Sequence, residues 1–317
     1  MLAKDPPKGE PRLAFFSCYR TSRHVIDEKT PQGYRNERNN RFRGPCMDSS
    51  HSQAKVAALP ENRLYTKAEP LPPPAATYTV SARKKPTRVP VFAYLRKNYG
   101  NLPLAEIDSL FGFVEQSTLY GGRQFKAREL SDRDVAQLNN AGIGIRLPMS
   151  NHTAERTEYE LNMGLLQKYH RQCNSIIVTN DDLARWIRQD FPDYRLDASV
   201  IKNIKTHSAI DKALELYDSV VLPMRLNENL DFLAKIEMKE KITLFANAGC
   251  ALTCSSKLCY PSLSKMNKGK GGEFLCSQPI KHRDLLGMVD FPLQPYIDLG
   301  FHRFKLLRAR PGGMTGF

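Results

Sequence analysis

The chain has 317 residues, 41% of them hydrophobic, enough for one large domain or two small ones with a sizeable core. Its formal charge is +14, but residues 1–100 hold 19 Lys and Arg against 8 Asp and Glu, while the other 217 hold 28 against 25; the basic character belongs to an N-terminal extension, and the body is nearly neutral. No run of about 18 apolar residues exists, no apolar secretory core opens the chain, and seven cysteines, odd in number and mostly clustered, argue against a secreted disulfide scaffold, so the expectation is a cytoplasmic protein with no membrane span.

Residues 1–87 show no sustained periodicity. They hold GYRNERNNRFRG, EPLPPPAAT and SARKKPTR, with Pro, Arg and Asn dominant. Such a segment buries too little apolar surface to offset its ordering entropy, so it reads as a disordered basic extension. Interleaved Arg and aromatic residues also suit a nucleic-acid-binding arm. An organellar targeting sequence fits less well, because acidic residues interrupt it.

From residue 88 short apolar runs alternate with helix-period stretches. The runs at 89–95, 109–115, 143–149, 175–180, 194–199, 219–224, 242–247 and 302–307 are candidate strands. Segments such as SDRDVAQLNNAG, DDLARWIRQDF and AIDKALELY lie between them with apolar residues near i, i+3, i+4 spacing. Strand–helix alternation implies a parallel sheet, and eight units over roughly 220 residues predict an α/β fold of the (β/α)8 TIM-like barrel type over 88–317. Two crossovers are thin. Only RKNYGNLPLAEID separates the first two runs, and no helix is read after the eighth. A doubly wound sheet therefore stays open as the alternative.

In a barrel, chemistry sits at the C-terminal ends of the strands. Those ends present Glu115 and Gln116, Asn151 and His152, Asn180 with Asp181 and Asp182, Ser199, Arg225, and then Asn247 with Cys250. Each has a plainer reading. Asn180 and Asp181 fit the cap of helix DDLARWI, Ser199 fits a polar filler, and Arg225 fits a surface ion pair as well as a buried anion site.

Cys250, Cys254, Cys259 and Cys276 fall within 27 residues at C-x3-C-x4-C-x16-C spacing, in a loop rich in Ser, Lys and Gly. Four thiolates on one loop are the ligand set of a [4Fe–4S] cluster or a structural zinc. Only the first spacing fits a zinc knuckle and no second knuckle follows, so the spacing favours the cluster, with zinc or unliganded thiols as alternatives. The KGKGGEF stretch (268–274) reads as the loop that returns Cys276. There is no G-x-G-x-x-G, P-loop or H-E-x-x-H.

With strands and cysteines placed, the order of motifs resembles one family. GGRQF (121–125), RLPMSN, VTNDDLARWI, RLDASVIKNI, SVVLPMRLN, LFANAGC, CSQPIKHRDLL and YIDLGFHRFKLLRAR, spread over about 88–310, resemble the collagenase-like peptidases of unassigned catalytic type. That group includes the ubiquinone-biosynthesis hydroxylation proteins and the tRNA and ribosomal-RNA hydroxylation proteins. The resemblance implies a barrel with a [4Fe–4S] cluster and an oxygen-independent hydroxylation of RNA or a small aromatic ring. It also implies a pocket lined by Asn151, Asp181, Ser199 and Arg225. The family label carries a peptidase reading as the alternative. The family's last strand has an acidic residue where this chain has Leu307, and no helix is read after that strand; the second departure suggests a truncated barrel or one that a second barrel subunit completes, and the two together favour, as a further alternative, a non-catalytic cluster-bearing partner subunit.

Overall fold

The computed structural model describes residues 75–254, 257–278 and 288–307. Eight parallel strands close into a barrel. They are β1 (Thr77–Ser81), β2 (Ile107–Phe111), β3 (Gly144–Leu147), β4 (Ser175–Val178), β5 (Arg195–Ala198), β6 (Ser219–Val221), β7 (Ile242–Phe245) and β10 (Arg303–Leu306). Helices α1 (Val91–Tyr99), α2 (Asp132–Asn140), α3 (Arg156–Lys168), α4 (Asp181–Asp190), α5 (His207–Leu214) and α6 (Leu230–Ala234) follow the first six in turn. After β7 come a two-residue antiparallel ladder of β8 (Asn247–Ala248) with β9 (Val289–Asp290), helix α7 (Cys259–Asn267) between them, and α8 (Gln294–Asp298) before β10. The (β/α)8 expectation therefore holds, and the doubly wound alternative does not.

The first strand is not where the apolar run placed it. Residues 91–99 form a helix behind Pro90, whose fixed φ of −56° suits a helix start. Val91, Tyr94, Leu95 and Tyr99 are its buried face, at helical spacing. The strand is TYTVS, inside the stretch assigned to the extension, so the barrel begins by Thr77 and the boundary at 87/88 is corrected. The thin first crossover is corrected with it, because α1 fills it. The rest of the expected extension, residues 1–74, and the position of a last helix, 308–317, lie outside the described residues.

The strand β1 escapes a search for apolar runs because the barrel interior is polar. Side chains alternate across a strand, and the registers Thr79↔Ser109, Thr79↔Lys305 and Lys305↔Phe245 put those residues on one face. The same face carries Arg146, Ser175, Asp197 and Ser219, all buried. The opposite face supplies Val80, Leu110, Ile145, Val178, Leu196, Val220, Leu244 and Leu306 to the core beneath the helices. Inside, Arg146 Nε lies 2.9 Å from Asp197 Oδ2 and donates to Ser175 Oγ at 3.2 Å, while Ser219 donates to Asp197. Arg195 and Asp108 pair at 2.9 Å beside them. Burial pushes the Asp197 carboxyl up, but Arg146, Arg195 and Arg303 more than offset it and hold it below the usual range. Among the described residues no helix is long and apolar enough to cross a membrane.

Candidate functional site

A cavity of about 1050 Å³ opens at the C-terminal ends of the strands, where barrel chemistry sits. Ser81, Phe111, Ile177, Phe245 and Lys305 form its floor. The loop after β1 supplies Arg83 to Arg88 to its wall, and the loop after β2 supplies Gly121 to Glu129. All four clustered cysteines line the remaining side.

Two asparagines hold this wall together. Asn267, at the end of α7, accepts from Phe125 N at 2.8 Å and donates to Tyr120 O and Arg123 O. Asn151 donates to Thr118 O at 2.8 Å, Tyr120 O at 3.3 Å and Ser264 O at 3.1 Å. Both tie the α7 segment to the loop after β2. The same loop presses on the segment after β3: a Cβ on Gly121 would stand 2.0 Å from Ser150 O, so only glycine fits there. Glu129, buried in that loop, accepts from Lys84 N at 2.8 Å and Phe113 N at 3.0 Å and pairs with Arg123. Its charge is thus engaged. So is that of buried Lys85, 2.8 Å from Asp134. Lys84, Arg88 and Lys126 are exposed at the rim, and none has an ion-pair partner among the described residues. The mouth is left basic.

The four cysteines lie along one side of the cavity. Cys250 follows β8, Cys254 N donates back to Cys250 O at 3.2 Å, Cys259 opens α7, and Cys276 arrives on the return loop. Burial and then the charges on Cys250, Cys254 and Cys276 push the Cys259 thiol up to about 11. Neighbouring donors already face two of the sulfurs. Lys257 N lies 3.4 Å from Cys254 Sγ, Gln278 N lies 3.4 Å from Cys276 Sγ, and Ser277 Oγ lies 3.3 Å from Cys254 Sγ. Among the described residues no three His, Cys, Asp or Glu side chains stand at metal-binding separation. By donor type alone four thiols are soft ligands of the kind a thiophilic metal takes, and backbone amides face two of these sulfurs.

The other expected site residues divide. Ser199 lines the cavity, buried, and its Oγ accepts from Ile201 N at 3.2 Å. Asn151 does not line the cavity; it is fully buried and spends its amide on the three carbonyls above. Asp181 lies away from the mouth, half-exposed, and accepts from Lys202 Nζ at 2.6 Å and Tyr217 OH at 2.7 Å. Burial raises its carboxyl, but Lys202 and Tyr217 outweigh that and hold it low, as suits an ion-paired brace. Asn180 caps α4, accepting from Leu183 N at 2.9 Å. Arg225 is exposed and donates from Nε to Leu252 O at 3.3 Å, bracing the cysteine loop from outside. Asn151, Asp181 and Arg225 are thus corrected from pocket lining to scaffold, because their polar groups are used in fixing loops.

Lys305 is the residue that strand-end reasoning passed over. It lies mid-strand on β10, 7% exposed, with Nζ 4.5 Å from the centroid of the Phe111 ring and 5.9 Å from that of Phe245. No carboxylate pairs with it among the described residues. Burial, then the charge on Arg146, pushes its ammonium down to about 7, against a weaker pull upward from Asp197. Its signal in the sequence was a lysine between Phe304 and Leu306 in an apolar run. Leu307 also lines the cavity, and its backbone is bracketed by Asn247, which donates to Leu307 O at 2.9 Å and accepts from Leu307 N at 2.8 Å.

No protein-family model matches the chain, and no curated protein matches it by sequence. Among solved structures the chain is similar to the U32 peptidase Mk0906, with a TM-score of 0.51 and 12% identity over 74% of this chain and 93% of that one. What this chain shares with that protein is the barrel fold.

Proposed function

We propose that this chain is an iron–sulfur protein of the collagenase-like peptidase family and of its oxygen-independent hydroxylation type, acting on RNA. The observation that carries the reading is that Cys250, Cys254, Cys259 and Cys276 all line one side of the mouth cavity. These four residues would hold a [4Fe–4S] cluster. Such a group supplies electron transfer and an iron ion at the cavity wall. Lys257 N, Gln278 N and Ser277 Oγ lie where they can donate to thiolate sulfurs, which tunes potential. Ser199 offers a hydroxyl to whatever enters. The basic rim of Lys84, Arg88 and Lys126 favours a polyanion over a small neutral aromatic ring, because phosphates gain from each cation they meet.

The U32 peptidase neighbour supports the family and also a second reading, peptide hydrolysis at the same cavity. No Ser-His-Asp arrangement is recognisable in the sequence to carry it. The variant Cys250→Ala, purified without oxygen beside the parent, separates the readings. The parent should absorb broadly near roughly 400 nm, and the variant should lose that band. A parent with the band and a variant that keeps it would remove Cys250 from the ligand set. Peptide cleavage undiminished in the variant would favour the hydrolase.

A further inference from the structure

We propose that Lys305 is an amine nucleophile, and that its Nζ captures the carbonyl carbon of a small anionic aldehyde or ketone in the mouth cavity as a Schiff base. The proposal does not depend on what the cysteines hold.

Three observations carry it. The first is position: Lys305 sits on the inward face of β10, on the floor of a cavity of about 1050 Å³, where a ligand entering the barrel mouth ends. The second is surroundings. Thr79 on β1 and Phe245 on β7 stand in register with it, the Phe111 ring on β2 lies 4.5 Å away, and the charges it feels are those of Arg146 on β3, Asp197 on β5 and Arg123 from the loop after β2. Asp197, the one carboxylate in that set, is already engaged by Arg146 and Ser219. No carboxylate pairs with this lysine among the described residues, and burial together with the charges of Arg146 and Arg123 favours the neutral amine. The third is the basic rim, where Lys84, Arg88 and Lys126 can take the carboxylate or phosphate of an anionic carbonyl compound.

The step balances without an oxidant. The Nζ lone pair attacks the carbonyl carbon and a C–N bond forms. The π electrons pass to oxygen, which takes a proton as nitrogen loses one. Loss of that hydroxyl as water leaves the C=N bond, and hydrolysis returns amine and carbonyl.

The test uses the full-length protein and pyridoxal 5′-phosphate, an aldehyde with a phosphate, as the probe. Brief exposure to a substoichiometric amount at pH 7, borohydride reduction of the imine and peptide mapping read every lysine within one molecule. Lys305 should carry at least tenfold more label than Lys84 or Lys126, and its labelling should rise with pH around a midpoint near 7. Lys305→Arg should lose the imine absorbance while the exposed lysines still label. Label spread evenly over the lysines, or absent from Lys305, overturns the proposal. Repeating the map on protein stripped of metal with a chelator separates this inference from the cluster: unchanged labelling supports an independent amine, and labelling lost with the metal overturns that independence.

Discussion

Arg146→Ala should lower the stability of the barrel by about 3–5 kcal/mol, the cost of leaving a buried carboxylate without its main partner. Arg146 and Asp197 both have fully buried side chains. The remaining cations do not replace Arg146: Arg195 and Arg303 stand 3.8 and 3.9 Å from Asp197 Oδ1, at the limit of an ion pair. Urea unfolding of parent, Arg146→Met, Asp197→Leu and the double variant reads the coupling. The double variant should be markedly more stable than the sum of the two single losses. Strict additivity would mean that the pair does not organise the interior. The network also sets an acid limit. Arg195 and Arg146 overcome the effect of burial and hold Asp108 at about 2. A depressed carboxyl contributes stability above its unfolded value near 4 and loses it as pH falls toward 2, so the parent should weaken steeply across that window and an Asp108→Asn variant less so.

Lys305→Met should have the opposite sign and stabilise the fold, by about 3–5 kcal/mol at pH 6. A lysine whose folded value is lowered to about 7 charges less readily folded than unfolded. Below pH 7 both states are charged, and the folded state bears the full cost of a buried ammonium beside the Arg146 charge. As pH rises from 7 toward 10.5 the folded amine is neutral while the unfolded one still binds a proton, so the penalty fades. The advantage of the methionine variant should therefore shrink by more than half between pH 6 and pH 9, in paired denaturation curves at the two values. An advantage that is flat with pH would show that packing, and not charge, sets the difference. A destabilised variant would show that Lys305 is a structural cation. Retention of so costly a residue at the floor of a cavity is what a functional amine looks like.

The barrel was legible wherever one face of a strand was apolar enough to mark it, as in SIIV and ITLF. It was illegible at β1, where Thr79 and Ser81 face a polar interior and only Tyr78 and Val80 signal a strand. The run at 89–95 misled for the converse reason: consecutive apolar residues satisfy both periods, and only Pro90 hinted at a helix start. That four cysteines share one side of the cavity is a matter of local sequence, because residues of one loop lie close in the chain as well as in space. Asn151, Asp181 and Arg225 were not separable from pocket residues by position alone, since a polar group at a strand end serves a loop or a ligand equally well; their hydrogen-bond partners lie up to 113 residues away. Lys305 was readable in principle, as a charge inside an apolar alternation, but the strand-end rule looked past it.

The central claim is that Cys250, Cys254, Cys259 and Cys276 are the ligands of an iron–sulfur cluster at the barrel mouth. The most direct test is iron, sulfide and zinc analysis of the full chain purified without oxygen. The account predicts about four irons and about four sulfides per chain with little zinc, as a [4Fe–4S] cluster requires. About one zinc with no iron or sulfide would contradict it and make the loop a structural metal site.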